Sequence, residues 1–158
     1  MSEYPPIAML MPHREPMVLL DRVVDWAPGK VECAVVVRDG ARFVEDGRLD
    51  APYTIEHMAQ TVAVCLGYEA YRGGRGVRVG MIVSCRSFEA HEHAAPVGEA
   101  LRVLASRDRG NDTLSHFQCE VRAGDRPFAR STLTLFHGAT LFDEAVDTRP
   151  AAQSDAAP

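Results

Sequence analysis

The chain has 158 residues, of which 46% are hydrophobic and 25% charged, and its formal net charge is -5 at pH 7. These totals fit one soluble globular domain. Because phosphate binding requires clustered Lys and Arg, the net negative charge argues against a nucleic-acid partner. No stretch approaches the roughly 20 apolar residues that span a bilayer, and the first residues contain no basic signal segment. We therefore expect a cytoplasmic protein without a membrane segment.

The first half of the chain predicts a short helix followed by a hairpin. An apolar run at residues 7–11 ends at Pro12, because the residue before a proline disfavours helical backbone. Residues 18–26 and 30–38 are rich in β-branched side chains and are separated by a Pro-Gly turn, which is typical of two hairpin strands. A charged loop that contains glycine follows at residues 39–49.

A long amphipathic helix is predicted over residues 50–71. Its apolar positions recur at a spacing of three or four residues, which is the period of one helix face. Asp50 can cap this helix, Pro52 fits its first turn, and Gly73 follows its end. The apolar stripe consists of Ile55, Met58, Ala59, Val62, Ala63 and Leu66.

The rest of the chain predicts only strands, separated by short polar turns. One long helix among about six strands predicts an α+β domain in which a curled antiparallel sheet wraps around the helix. We assign this domain to residues 1–142. Residues 143–158 have little to bury, so we expect them to be disordered. The four predicted strands after the helix cover residues 77–89, 100–109, 114–123 and 128–137.

The cysteines and the paired histidines do not have the spacing of a metal site. Each cysteine lies in or beside an apolar run and none belongs to a CxxC motif, which predicts reduced, mostly buried thiols. His91 and His93 alternate with acidic residues but have no third well-placed ligand, so we interpret them as a polar strand end. We expect no metal and no dissociable cofactor. The cysteines are Cys33, Cys65, Cys85 and Cys119.

Two segments resemble the β-hydroxyacyl-acyl-carrier-protein dehydratase family, whose members have the hotdog fold. Residues 10–23, LMPHREPMVLLDRV, are similar to the family pattern LPHR-x-P-x-LLxDRV, and residues 55–60, IEHMAQ, are similar to its EAMAQ pattern on the central helix. With GRL at residues 47–49, the chain resembles in particular the dehydratase-like branch associated with aryl-polyene biosynthesis. The resemblance implies a hotdog domain that acts on an acyl chain carried by an acyl carrier protein.

The resemblance also exposes a departure from the family. In its better-known members, a His-Phe-Pro segment before the helix supplies the catalytic base. Here residues 42–47 read RFVEDG, and no histidine lies between His13 and His57. In the resembled family the His of the PHR segment is not the catalytic one, so we assign His13 a structural role. The helical period places His57 on the side opposite the apolar stripe.

Dehydration of a 3-hydroxyacyl thioester requires one group that removes a C2 proton and one that protonates the leaving hydroxyl. Glu56, on the flank of the predicted apolar face, is our candidate for this proton transfer, since a carboxyl there is partly desolvated. Its alternative role is to stabilise the positive end of the helix.

Five other residues are predicted to contact the substrate. The amides near Ala51 and Tyr53, at the start of the helix, can polarise the thioester carbonyl. Gln60 follows Glu56 by one turn and either orients it or only ties the helix to backbone carbonyls. The remaining two, which occupy the loop where the family has its base, are Arg42 and Phe43.

Three functions are compatible with these residues. The first is a dehydratase in which Glu56 transfers protons, and the second is a thioesterase in which Glu56 is nucleophile or base toward water. The third is a non-catalytic subunit that stabilises a catalytic hotdog partner. In each case the acyl group arrives on a phosphopantetheine arm, and we expect a homodimer or a heteromer with another hotdog chain.

Overall fold

A six-stranded antiparallel sheet wraps around one 19-residue helix in the computed structural model, which describes residues 3–77 and 79–137. This arrangement confirms the predicted α+β architecture of the hotdog fold. The predicted disordered tail, residues 143–158, lies outside the described residues. Within those described ranges, no helix is long and apolar enough to cross a membrane.

The elements follow the predicted order, with additional short strands. The helices are two 3-10 turns, Ile7–Met9 and Ala51–Tyr53, and the α-helix α1, Thr54–Arg72. The strands are β1 (Arg22–Ala27), β2 (Lys30–Val36), β3 (Val44–Glu45), β4 (Arg48–Asp50), β5 (Met81–Ala90), β6 (Ala94–Pro96), β7 (Ala100–Gly110), β8 (Leu114–Ala123) and β9 (Arg126–Phe136). The large sheet has the order β1-β2-β7-β8-β9-β5, and a small sheet has the order β3-β4-β6.

The segment predicted as a loop, residues 39–49, contains the short strand β3 and the first two residues of the short strand β4. They form a hairpin in which Val44 pairs with Leu49 and Glu45 with Arg48. Both residues of the connecting turn have positive φ, 50° at Asp46 and 75° at Gly47. An Asp-Gly pair in this conformation matches the right-handed twist of the flanking strands. The loop prediction was therefore wrong at these residues, because each strand is too short to show alternation.

Helix α1 begins later than predicted. The predicted cap, Asp50, makes no capping hydrogen bond, and its carboxylate instead accepts a hydrogen bond from Arg48 at 2.9 Å. The 3-10 turn Ala51–Tyr53 intervenes, and the hydroxyl of Thr54 donates to the carbonyl of Ala51 at 2.6 Å. The helix prediction was thus correct for the body of α1 and wrong for its first turn.

The face of α1 that packs against the sheet is rotated relative to the predicted stripe. Met58 and Val62 of that stripe are fully buried, whereas Ile55 and Leu66 are only partly covered. The buried face instead includes polar residues such as Thr61, whose hydroxyl donates to a backbone carbonyl one turn earlier at 2.8 Å. This internal hydrogen bond lets a polar side chain enter the core. As a result, part of the apolar stripe is left outside the core.

The segment before β1 lies directly against α1. A Cβ atom added to Gly67 would lie 1.6 Å from the carbonyl oxygen of Leu10, so only glycine permits this approach. Leu10 and Met11 are fully buried beneath the helix. The segment that leads into the PHR residues is therefore held against α1.

Candidate active site

A groove of about 600 Å³ runs along the partly covered face of α1. Glu56, Ala59, Ala63 and Ala70 recur along this face, and roughly 20 Å of helix separates the first from the last at 1.5 Å per residue. The middle of the groove is apolar and its two ends are polar. Its other walls are formed by Pro12, His13, Gly80, Met81, Ile82 and Leu135, and by polar residues near the end of α1.

Glu56 stands at one end of this groove and is held by two neighbours. Its Oε1 atom accepts a hydrogen bond from Nε2 of Gln60 at 3.0 Å, and Nε2 of His13 lies 3.5 Å from the same oxygen. About one third of each side chain is exposed, 32% for Glu56 and 30% for His13. Both groups therefore reach the groove rather than being sealed in the core.

Gln60 joins the helix to the segment before β1. Its Nε2 atom also donates to the carbonyl of Met17 at 2.7 Å, and its Oε1 atom accepts from the amide of Leu19 at 2.9 Å. The side chain is fully buried. Gln60 thus both ties the helix to the backbone and orients Glu56, but it does not itself reach the groove where a substrate contact was expected.

His13 approaches Glu56 from the PHR segment. The guanidinium of Arg14 donates to the carbonyls of Ala8, Met11 and His13 at 3.3, 3.1 and 2.8 Å, which holds the backbone of this segment. The Nδ1 atom of His13 is buried and has no hydrogen-bond partner among the described residues. The structure thus brings a histidine that the sequence analysis regarded as structural to the candidate acid-base group.

The other predicted substrate contacts lie apart from the groove. The amide of Ala51 donates to the carbonyl of His93 at 2.8 Å, so it has no proton left for a ligand. The rings of Phe43 and Tyr53 stack at 5.0 Å between centroids, and the guanidinium of Arg42 lies 5.6 Å from the centroid of Phe43. These three side chains form a surface cluster of their own, which we call the Arg42 cluster.

The end of the groove opposite Glu56 contains residues that the sequence analysis did not single out. Oγ of Ser115 and Nε2 of His137 form a buried hydrogen bond of 2.8 Å. Glu69 accepts hydrogen bonds from the amide of Gly29 at 3.0 Å and from Arg107 at 2.9 Å. The alternation of buried side chains along β8 could have indicated that Ser115 points inward. The ion pair between Glu69 and Arg107 could not be predicted in this way, because it joins segments far apart in the chain.

The described cysteines provide no reactive thiol inside the domain. Burial raises the pKa of Cys33, Cys65 and Cys119 to about 12, so these thiols stay protonated at neutral pH. Cys85 is the exposed one and lies outside the groove-lining residues. In residues 3–77 and 79–137, no group of three His, Cys, Asp or Glu side chains is arranged to hold a metal ion.

His57, which was predicted on the side of α1 opposite the apolar stripe, is buried, because the segment around Leu19 and strand β2 cover that side. Its Nδ1 atom lies 3.2 Å from the carbonyl of Tyr53. Burial lowers the pKa of His57 from its ordinary value of 6.5, since the charged imidazolium loses its hydration.

We expect His57 to make the folded state sensitive to mild acid. The unfolded chain binds a proton at His57 near pH 6.5 while the folded chain resists it, so stability is lost as the pH falls below about 6.5. The loss is at most about 1.4 kcal/mol per pH unit. Urea unfolding between pH 7.5 and 5.5 measures it, and His57→Gln should flatten the slope. An unchanged slope in this variant would contradict the assignment, and His91→Gln, at an exposed site, is the control.

The comparisons with known proteins agree on the fold. A family model described as ApeP-like, ApeP dehydratase, matches residues 5–146. A chain of the dehydratase heterocomplex ApeI:P from Xenorhabdus doucetiae is 24% identical, with a TM-score of 0.84 over 92% of this chain and 99% of that chain. Zebrafish thioesterase superfamily member 2 is 22% identical, with a TM-score of 0.62 over 83% of this chain and 91% of that one.

A third solved structure extends the likeness to a protein bound to coenzyme A. It is a hypothetical thioesterase protein from Streptococcus pneumoniae, 13% identical, with a TM-score of 0.59 over 73% of this chain and 84% of that chain. At these identities the structural matches bear on the fold alone. No curated protein sequence matches the chain significantly.

The fold and the family match together define a dehydratase-like hotdog protein, as the two sequence segments predicted. Because the family model covers most of its length, the chain belongs to the ApeP-like dehydratase family.

Proposed function

We propose that this protein removes water from a 3-hydroxyacyl thioester and that Glu56 takes part in the proton transfer. The observation that carries this proposal is the carboxyl group of Glu56 at the head of an apolar groove, fixed by Gln60. A positioned acid-base group beside a site for an acyl chain is what this elimination requires. Membership of the ApeP-like dehydratase family supports the same reaction.

The shape of the groove suits an acyl chain on a phosphopantetheine arm. Ala59, Ala63 and Leu66 give its middle an apolar wall with small side chains, along which a chain can lie. The positive end of α1 lies near Glu56, where it can stabilise negative charge on the thioester oxygen. We therefore propose an acyl carrier protein as the partner that delivers the substrate.

We further propose that the chain works in a pair with a second hotdog chain. β5 is an edge strand of the large sheet, and three successive apolar side chains, Met81, Ile82 and Val83, are exposed on it. An exposed apolar edge strand favours pairing with another sheet. In such a pair the Arg42 cluster of one chain can contact substrate in the groove of the other, which keeps the proposed binding role of Arg42, Phe43 and Tyr53.

The alternative proposal is a non-catalytic subunit of a heteromeric dehydratase. It is favoured by the sequence RFVEDG at residues 42–47, where the better-known dehydratases have their catalytic histidine. The similar structure from Xenorhabdus doucetiae is a dehydratase heterocomplex, which supports a heteromer for this chain as well.

Mass spectrometry of carrier-bound substrates separates these possibilities. The purified protein is mixed with 3-hydroxyacyl- and saturated-acyl-carrier thioesters. The proposed function predicts loss of one water from the hydroxyacyl species and no change in the saturated one. Release of free carrier from the saturated thioester would instead support a thioesterase. No change in either species would leave the non-catalytic subunit as the better account.

A further inference from the structure

We propose that His13 is a catalytic residue that shares the proton transfer with Glu56, in place of the histidine absent from the loop before α1. This inference rests on the dehydratase function proposed above and names the second acid-base group of the same groove. The loop itself offers Arg42, which stays protonated and cannot serve as a base.

The geometry places the two groups within reach of one bound substrate. Nε2 of His13 and Oε1 of Glu56 are 3.5 Å apart, and both side chains line the groove. Contacts between catalytic groups commonly shorten when the substrate binds. Because Nδ1 of His13 is buried, only Nε2 can exchange a proton with a molecule in the groove.

Hydrogen bonds and close packing hold the backbone of His13 in place. The three carbonyl contacts of Arg14 hold the backbone on which His13 stands. Close contact between Gly67 and Leu10, together with the hydrogen bond from Gln60 to Met17, holds the same segment against α1. Groups held in this way lose little entropy when the reaction begins.

Among the residues that the structure describes, Glu56 lies within ion-pair distance of His13. Arg14, its chain neighbour, directs its guanidinium to backbone carbonyls. The other ionisable side chains that line the groove belong to or adjoin its end opposite Glu56, and two of them, Glu69 and Arg107, neutralise each other. These groove-lining residues are Glu69, Arg75, Arg107, Asp112 and His137.

The pair shares one exchangeable proton, and the proposed reaction starts from the form in which the carboxyl of Glu56 carries that proton and Nε2 of His13 is unprotonated. Nε2 of His13 takes the C2 proton, and the electrons of that C–H bond form the C2–C3 double bond. The C3–O bond breaks as the protonated carboxyl of Glu56 gives its proton to the departing hydroxyl, which leaves as water. The proton on His13 then passes to the carboxylate of Glu56 across their contact, which restores both groups.

His13→Gln tests this inference, because glutamine can still contact Glu56 but cannot carry the exchanged proton. We expect kcat/KM for the 3-hydroxyacyl-carrier thioester to fall about 100-fold, within the range for loss of one acid-base group. One limb of the bell-shaped pH profile should disappear, while binding of a saturated acyl thioester stays unchanged. His91→Gln, an exposed histidine outside the groove, is the matched control and should behave as wild type.

A second variant excludes a merely structural role. In His13→Ala, added imidazole should restore part of the lost turnover, which it would not do if His13 only supported the fold. Wild-type turnover and both pH limbs in His13→Gln, with Glu56→Gln inactive, would overturn the role of His13 and leave the proposed function intact. Absence of dehydration by the wild-type protein would overturn both.

Discussion

Replacement of Glu56 by glutamine is expected to lower kcat/KM for a 3-hydroxyacyl-carrier thioester about 1000-fold, within the range for loss of a general acid or base. The substitution keeps the shape of the side chain and its ability to accept the hydrogen bond from Gln60, but it removes the exchangeable proton. Binding of a saturated acyl thioester should change little, since the apolar walls of the groove are untouched. Steady-state kinetics and fluorescence titration measure the two effects separately.

The control for this prediction is Glu120→Gln. Glu120 lies on β8, on the face of the sheet that points away from the buried core, and it pairs with Arg122. Its loss should leave the kinetics unchanged. If Glu56→Gln retains wild-type turnover, Glu56 has no part in the chemistry and only stabilises the start of α1.

The second large effect is expected from Gln60→Leu. Leucine has a similar size but leaves the amide of Leu19 and the carbonyl of Met17 without the partner they have in the wild type. An unpaired buried group costs roughly 1–3 kcal/mol, and these two groups are partly buried, so we expect a loss of about 2 kcal/mol in the free energy of unfolding. Turnover should also fall, by roughly 10- to 100-fold, since Glu56 and the PHR segment lose their common support.

Urea unfolding and kinetics on the same preparation measure both parts of this prediction. Gln118→Leu is the control, because Gln118 is exposed on β8 and such substitutions change stability by about 0.5 kcal/mol or less. A stable and fully active Gln60→Leu variant would show that the three hydrogen bonds of Gln60 do not hold the site.

Strands β7 and β8 could be predicted from the sequence because one face of the sheet is buried, so that buried and more exposed side chains alternate along each strand. The observed β8 coincides with the predicted range 114–123. The β3–β4 hairpin could not be found this way, since its strands have two and three residues. The sequence feature that could have predicted this hairpin was the Asp46-Gly47 pair, which is typical of a tight hairpin turn.

The start of α1 shows a different limit. A favourable cap residue, Asp50, predicted a start that the structure does not have, because an ion pair with Arg48 uses its carboxylate. Local preference for a cap was overridden by a contact in the neighbouring hairpin. The buried face was misplaced for a related reason, since hydrogen bonds within the helix admit Thr61 to the core.

The site was partly predictable. The IEHMAQ segment led to Glu56. Gln60 follows Glu56 by one helical turn, which places the two side chains next to each other on the helix. The proximity of His13 to Glu56 could not be deduced, because it depends on packing between segments 43 residues apart, as in the bond from Gln60 to Met17. Arg42 and Phe43 were chosen by analogy with the loop of the better-known dehydratases. In this chain the ring of Phe43 stacks on Tyr53, and the guanidinium of Arg42 lies over Phe43.

A crystal structure with a 3-hydroxyacyl pantetheine amide, which cannot undergo thioester hydrolysis, tests the central claim most directly. The account predicts that the acyl chain lies along Ala59 and Ala63, with C2 and C3 about 3 Å from the side chains of His13 and Glu56. An acyl group bound elsewhere, with its C2 and C3 beyond reach of Glu56, would contradict it.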